Sequence, residues 1–189
     1  FSSKCNLITI GPGLSTYRET TELVHKIIRE TDINIVLDAD GINAFNQHND
    51  LDNLKEHKSE LIITPHPGEM AKLLKKDTAY VQENREKVAV DFAKEYNCVV
   101  VLKGNETIVA DKEGNVYINN TGNSGLATAG SGDVLTGIIS SFFVQGLSAY
   151  ESAILGTYIH GDIADKLTLK TGELFLIASD IVDDLFLSL

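Results

Sequence analysis

Basic residues are scarce in this chain of 189 residues: Lys and Arg number 16 against 27 Asp and Glu, a formal net charge of −11. A chain this acidic is a poor match to a nucleic-acid backbone, which takes clustered Lys and Arg, or to an anionic membrane surface. The charge excludes no small anionic ligand, because backbone N–H groups hold anions without net positive charge. Cysteine is scarcer still. Cys5 and Cys98 are too few for a disulfide scaffold. Cys98 leads into Val99-Val100-Val101-Leu102 and reads as a buried strand thiol. No apolar run approaches the ~20 residues of a membrane span, and no signal peptide is visible. A cytoplasmic protein is therefore expected. Phe1 stands where a natural chain has Met, which raises the expectation of further sequence upstream. Apolar residues make up 43% of the chain, enough for a substantial core and too many for whole-chain disorder.

Short apolar runs alternate with amphipathic segments. Leu7 to Ile10, Ile33 to Leu37, Leu61 to Thr64 and Cys98 to Leu102 read as strands. Leu23, Val24, Ile27 and Ile28 lie at helical spacing. Val81, Val88, Ala89, Phe92, Ala93 and Tyr96 form one helical stripe. Thr107 to Ala110 and Val116 to Ile118 read as a hairpin around Asp111 to Asn115. Three helices follow. Asp133 to Gln145 is apolar nearly all round. Tyr150 to Leu169 carries a stripe of small residues (Ala149, Ala153, Gly156, His160, Ala164) that suits close helix packing. Ala178 to Leu187 forms the last. Continuous apolar strands between helices predict an α/β fold, with a mainly parallel sheet covered on both faces.

Ligands of such sheets bind outside the carboxyl ends of the strands. Polar or Gly-rich segments follow each of the four: Gly11-Pro12-Gly13, Asp38-Ala39-Asp40, Pro65-His66-Pro67-Gly68-Glu69 and Lys103-Gly104. The richest segment runs from Thr121 to Asp133 (TGNSGLATAGSGD) straight into a helix. Its glycines let backbone N–H groups converge, and the helix adds its free N–H groups and dipole, so an anion hole is expected. Asp133 then sits in the first helical turn, either satisfying local N–H groups or acting as a general base beside a moving phosphoryl group; the Gly-Ser-Gly before it favours the base. Asp38 reads as a cap of the next helix, His160 as a satisfied core histidine, and Asp183-Asp184 as a solvated face. His66 between two prolines suits ligand positioning; the plainer reading has it donating to a backbone carbonyl. Lys103 is evenly balanced between a ligand contact and a solvated side chain.

Other motifs fail. No Gly-Lys-Ser/Thr follows a glycine loop, and Gly11-Pro12-Gly13 lacks the third glycine of a dinucleotide fingerprint. No zinc spacing and no nucleophile elbow are present.

Five stretches, in order, resemble the NAD(P)H-hydrate dehydratases of the carbohydrate-kinase-like family, a branch of the ribokinase-like superfamily. They are IGPGLS (Ile10 to Ser15), LDADGIN (Leu37 to Asn43), TPHPGEMAKLL (Thr64 to Leu74), LKGNETIVAD (Leu102 to Asp111) and TGNSGLATAGSGDVLTGII (Thr121 to Ile139). The resemblance implies one ribokinase-like three-layer α/β/α domain over residues 1–189. The family carries further strands and helices before the GPG loop, so it also implies that an N-terminal part of that fold is lacking. The implied reaction is ADP-dependent dehydration of hydrated NAD(P)H, called NAD(P)HX, with AMP and phosphate as by-products and ATP as the other candidate donor. Asp133 would be the base, and Gly130, Ser131 and Gly132 the anion hole. Lys103, Gly104, Asn105, Glu106, Thr107 and Asn123 would hold the adenine nucleotide, with magnesium on its phosphates and no certain protein ligand for the metal. Gly11, Gly13, His66, Asp40 and Asn43 would line the substrate side. A homo-oligomer is expected, with a tetramer among the options, as is binding to neither nucleic acid nor membrane. Two alternatives stay open: a kinase for a vitamin precursor or sugar, and a nucleotide-binding module without catalysis.

Overall fold

The computed structural model describes residues 5–46 and 50–185. Four strands lie side by side in chain order and parallel: β1 (Leu7–Ile10), β2 (Asn34–Leu37), β3 (Leu61–Ile63) and β4 (Val99–Leu102). β5 (Ile108–Ala110) and β6 (Val116–Ile118) extend the sheet antiparallel, as the expected hairpin. Side chains alternate along each strand. Ile35, Leu37, Leu61, Ile63, Val100 and Leu102 enter one core, and Val36, Ile62, Val99 and Val101 the other.

Consecutive parallel strands joined by right-handed crossovers set their connecting helices on one face. That face carries α1 (Arg18–Glu30), α2 (Ala39–Asn43), α3 (Pro67–Leu74), α4 (Thr78–Glu83) and α5 (Arg85–Tyr96), whose buried side chains join the first core. α6 (Ser131–Val144) and α7 (Ala149–Thr171) cover the second face, and α8 (Ala178–Asp184) packs beyond them. The three-layer expectation holds. Cys98 is buried as expected, and burial pushes its thiol pKa well up. No helix among the described residues is long and apolar enough to cross a membrane.

Two readings need correction. The stripe from Val81 to Tyr96 is two helices that break at Asn84 (φ −127°, ψ 30°), whose side-chain amide donates to Tyr80 O at 2.9 Å. Periodicity missed the break because both helices turn their apolar side chains into the same core. The segment after β3 is a full helix: the His66 ring caps it and Pro67 starts it, so a proline-flanked loop reads as helix only with the cap in view. Residues 186 and 187 of the last expected helix lie outside the described residues.

The small-residue stripe lets α7 lie close against α6. A Cβ on Gly156 would stand 2.6 Å from Ile139 Cγ1 and 3.1 Å from the Ile139 backbone, whereas one on Gly137 would meet nothing within 4 Å. Opposite outcomes are expected in urea unfolding. Gly156→Ala costs about 1–3 kcal/mol through overpacking. Gly137→Ala, in the same helix pair, gains about 0.5–1 kcal/mol from lost unfolded-state freedom.

Candidate active site

The carboxyl ends of β1 to β4 form one rim, laced by main-chain bonds that continue beyond the strands. Asp38 N–H donates to Ile10 O (3.1 Å), Thr64 N–H to Leu37 O (3.1 Å) and Lys103 N–H to Pro65 O (2.9 Å). At its centre Asp38 is 1% exposed. Lys103 Nζ donates to Asp38 Oδ1 at 2.7 Å and Thr136 Oγ1 to Asp38 Oδ2 at 2.8 Å. The cap reading of Asp38 is therefore corrected: it sits at the N-cap position of α2 but makes no side-chain cap bond. A buried carboxylate satisfies its charge first, and Lys103 supplies the counter-charge. With 18% of its side chain exposed, Lys103 is no solvated lysine.

The Gly11-Pro12-Gly13 loop rests on Asp38. Gly11 has φ +134°, and a Cβ there would stand 1.7 Å from Asp38 O. No other residue type fits. Asp40 and Asn43 hold this loop from below. Asp40 Oδ2 accepts from Ser15 N–H (2.9 Å), Asp40 Oδ1 accepts from Asn43 Nδ2 (3.4 Å), and Asn43 Oδ1 accepts from Asn46 Nδ2 (3.0 Å). Next along the rim, His66 Nδ1 accepts from Gly68 N–H (3.0 Å) and Glu69 N–H (3.3 Å), while Glu69 Oε2 accepts from His66 N–H (2.8 Å). The plainer reading of His66 had the direction reversed: Nδ1 accepts from the backbone, which leaves the proton of a neutral ring on Nε2.

The GSGD segment opens α6. Gly130 takes the N-cap position at φ +84° with no side-chain cap, so the N–H groups of Gly132 and Asp133 have no acceptor among the described residues. Unpaired donors at the positive end of a 14-residue helix suit an anion. Lys103 Nζ lies 3.4 Å from where a Gly132 Cβ would be. Asp133 sits in the same first turn and is exposed, with no hydrogen bond or ion pair to any described residue.

Beside this turn opens a cavity of about 330 Å³. Lys103 to Thr107 form one wall, the loop around Asn119 to Ala127 another, and Ser131, Gly132 and His160 the floor. Asp133 is not on its wall; Ser131, Gly132 and Leu135 are the α6 residues facing in. All five residues expected on the nucleotide side from Lys103 to Thr107 are thus brought together with Asn123, Ser131 and Gly132, while Gly11, Gly13, Asp40, Asn43 and His66 lie along the other part of the rim.

Sequence reasoning missed two supports. Arg85, from the start of α5, donates to Leu102 O (3.1 Å), Lys103 O (3.3 Å) and Glu106 O (3.3 Å), gripping the 103–107 turn from behind. Burial lowers its pKa. Asp165 on α7 accepts from Gly122 N–H and Asn123 Nδ2 at 2.8 Å each. Both ends of the Asn123 amide are engaged within the protein, for its Oδ1 also accepts from Gly125 N–H at 3.0 Å. Neither Arg85 nor Asp165 belongs to a Gly-rich or rim motif, so only the fold exposes them. The described residues hold no group of three His, Cys, Asp or Glu side chains suited to a metal. A magnesium ion here would depend chiefly on phosphate oxygens, its usual habit in nucleotide sites.

His160 is buried as expected and also borders the cavity, its Nε2 3.3 Å from Ser131 Oγ. Burial first, and the nearby Lys103 charge next, lower its pKa from 6.5 to about 4, against the opposing bond to Ser131. Above pH 6.5 the imidazole is neutral in both the folded and unfolded states. Between there and about pH 4 the unfolded chain takes up a proton that the fold refuses, so acid weakens the fold. From about pH 7.5 to about pH 5 this group removes on the order of 2 kcal/mol. His160→Gln is expected to lose that much less stability over the same interval in urea unfolding. An unchanged pH slope would show that the ring is not held neutral.

A family model described as NAD(P)H-hydrate dehydratase matches residues 2–185. The chain is 43% identical over 181 residues to the bifunctional NAD(P)H-hydrate repair enzyme Nnr of Moorella thermoacetica, covering 96% of this chain and 34% of that one. It is 41% identical over 168 residues to the ADP-dependent (S)-NAD(P)H-hydrate dehydratase of Neisseria meningitidis serogroup B, covering 88% of this chain and 57% of that one. The structure of the ADP/ATP-dependent NAD(P)H-hydrate dehydratase of Bacillus subtilis, co-crystallised with ATP/Mg2+, superposes with a TM-score of 0.85 at 29% identity, covering 97% of this chain and 63% of that one. The fold is also that of a ribokinase-like superfamily protein from Enterococcus faecalis (TM-score 0.78). The chain thus spans less than two thirds of each of the two sequence relatives and of the Bacillus protein. With the rim loops, the open helix end and the cavity in these positions, and with a match running over nearly all of its length, the chain belongs to the NAD(P)H-hydrate dehydratase family.

Proposed function

We propose that this chain carries out ADP-dependent dehydration of NAD(P)HX, restoring NAD(P)H, and that residues 1–189 form one ribokinase-like domain of that enzyme. The observation that carries the reading is the first turn of α6. Among the described residues its Gly132 and Asp133 N–H groups have no acceptor and the Asp133 carboxylate no partner, Lys103 Nζ is beside this turn, and a cavity of about 330 Å³ opens alongside. That volume lies within the usual range for small-molecule sites. The Moorella, Neisseria and Bacillus relatives are named for NAD(P)H-hydrate, the second as ADP-dependent and the third as ADP/ATP-dependent.

Hydroxide leaves the hydrated ring poorly, and phosphorylation turns it into phosphate, a good leaving group. In this scheme Asp133 accepts the proton of the hydroxyl as its oxygen attacks the terminal phosphoryl group of ADP. The bond from that phosphorus to the bridging oxygen of ADP breaks, and AMP leaves. The open N–H groups of Gly132 and Asp133, with Lys103, stabilise charge on the moving group, whereas the Ser131 N–H expected in the anion hole is spent on Thr128 O at 3.3 Å and Gly130 serves by its left-handed N-cap conformation. The ring nitrogen lone pair then expels phosphate, and loss of a ring proton restores the double bond. Lys103 to Thr107 and Asn123 bound the nucleotide side. The Gly11-Gly13 loop and His66 bound the hydrate side, with Asp40 and Asn43 bracing that loop rather than reaching the ligand. Magnesium would supply charge neutralisation on the nucleotide phosphates, and ATP fits the same scheme as donor. A homo-oligomer, a tetramer included, working in the cytoplasm belongs to this reading, with NAD(P)HX and adenine nucleotide as its partners.

The test is to supply chemically hydrated NADH with ADP or ATP to the full-length protein. Return of the reduced-nicotinamide absorbance, with AMP and phosphate released from ADP, is expected. A stable phosphoester of a small alcohol would instead mark a kinase, and nucleotide binding without turnover a non-catalytic module. Asp133→Asn is expected to lower turnover ~10²–10⁴-fold while ADP affinity is kept. Normal turnover in that variant would remove Asp133 from the role of base.

A further inference from the structure

The cavity wall from Asn119 to Leu126 contains no strand and only one short 3-10 turn, Ser124–Leu126. Its shape comes from α7. Asn119 Nδ2 donates to Thr157 O (3.4 Å), and Thr121 Oγ1 donates to Tyr158 O (2.9 Å). Gly161 admits the loop, since a Cβ there would stand 2.6 Å from the Thr121 carbonyl carbon. Gly122 N–H then donates to Asp165 Oδ2 (2.8 Å), and Asn123 Nδ2 donates to Asp165 Oδ1 (2.8 Å) and to Thr168 Oγ1 (2.9 Å). The acceptors climb one face of α7 from Thr157 to Thr168. Asp165 is the only ionised group among them, and it takes two successive residues of the loop at once. It does not line the cavity; Gly122 and Asn123 do.

We propose that Asp165 is a positioning residue for the adenine nucleotide. Its carboxylate fixes the Gly122–Asn123 stretch of the wall and acts on the ligand only through that stretch. The inference rests on reading this cavity as the nucleotide site. The geometry makes the effect one-sided. The clasp braces the wall opposite Lys103 to Thr107 and makes no contact with the Gly11 loop or His66 among the described residues. Replacing the carboxylate by an amide sets a donor against either Gly122 N–H or Asn123 Nδ2 and loses a charge-assisted bond. The clasp can be rebuilt in reverse. With Asn123→Asp and Asp165→Asn together, the new amide donates to the new carboxylate and keeps an oxygen for Gly122 N–H.

The test is calorimetric titration of the full-length protein with ADP and, separately, with NADH. Asp165→Asn and Asn123→Asp are each expected to weaken ADP about tenfold or more. The double variant is expected to recover to within about threefold of wild type, with NADH affinity within about twofold throughout. A loop that serves stability alone would show no such rescue of affinity. Wild-type ADP affinity in Asp165→Asn, a double variant no better than either single one, or equal loss for ADP and NADH would each overturn the proposal. If Asp165→Asn does not fold, Asn123→Asp against the double variant decides by the same criterion. Failure to dehydrate the hydrate by a wild-type protein that binds ADP would sink the proposed reaction and leave this inference to the titrations. Absence of ADP binding in wild type would sink both.

Discussion

The rim depends on one buried ion pair. Asp38 and Lys103 lie at the ends of β2 and β4, both withdrawn from water, and Thr136 from α6 takes the remaining carboxylate oxygen. Two charges leave solvent at this depth only when each meets the other, and removing one partner of such a pair typically costs about 3–5 kcal/mol. The arrangement therefore has little freedom. It sets the distance from the sheet to the first turn of α6, holds the Lys103 amine beside Gly132, and keeps the Asp38 carbonyl where Gly11 alone can pass it. A lysine free of Asp38 would extend its amine into water, as lysines on protein surfaces do.

Around this junction the two halves of the rim are built differently. On one side the Gly11 loop and the His66 cap are braced by short-range bonds among residues at most 25 apart in the chain. On the other side the cavity wall is held from behind by helices, with Arg85 at the start of α5 against the 103–107 turn and α7 against residues 119–126. Between them stands the open end of α6, where, among the described residues, the Gly132 and Asp133 N–H groups lack acceptors and the Asp133 carboxylate lacks a partner. Donors and a carboxylate at a helix end that water can reach are available to a ligand. Their openness here suits a site whose ligand supplies the missing partners, and the proposed phosphoryl transfer between the two halves would use all of these features.

The sheet was legible because buried parallel strands read as unbroken apolar runs, and the sites at their ends because glycine and proline punctuate those runs. The open first turn of α6 was legible for the same reason: its glycines, its serine and its aspartate are neighbours in sequence. What escaped was whatever depends on residues far apart. Asp38 looked like a helix cap because its partners lie 65 and 98 positions away. Arg85 and Asp165 carried no signal, since nothing in their own segments marks the carbonyls or amides they meet. The break at Asn84 was hidden by an apolar stripe that stays in phase across it. Asp40 and Asn43 were placed on the correct rim, but their side chains are taken up in bracing the loop.

The most direct check on the central junction is a double-mutant cycle on unfolding free energy with Asp38→Asn, Lys103→Met and the two combined. A buried, mutually dependent pair predicts that each single change costs about 3–5 kcal/mol and that the combined variant costs much less than their sum. Losses that simply add, or single changes worth only a few tenths of a kcal/mol, would contradict a rim organised around that pair.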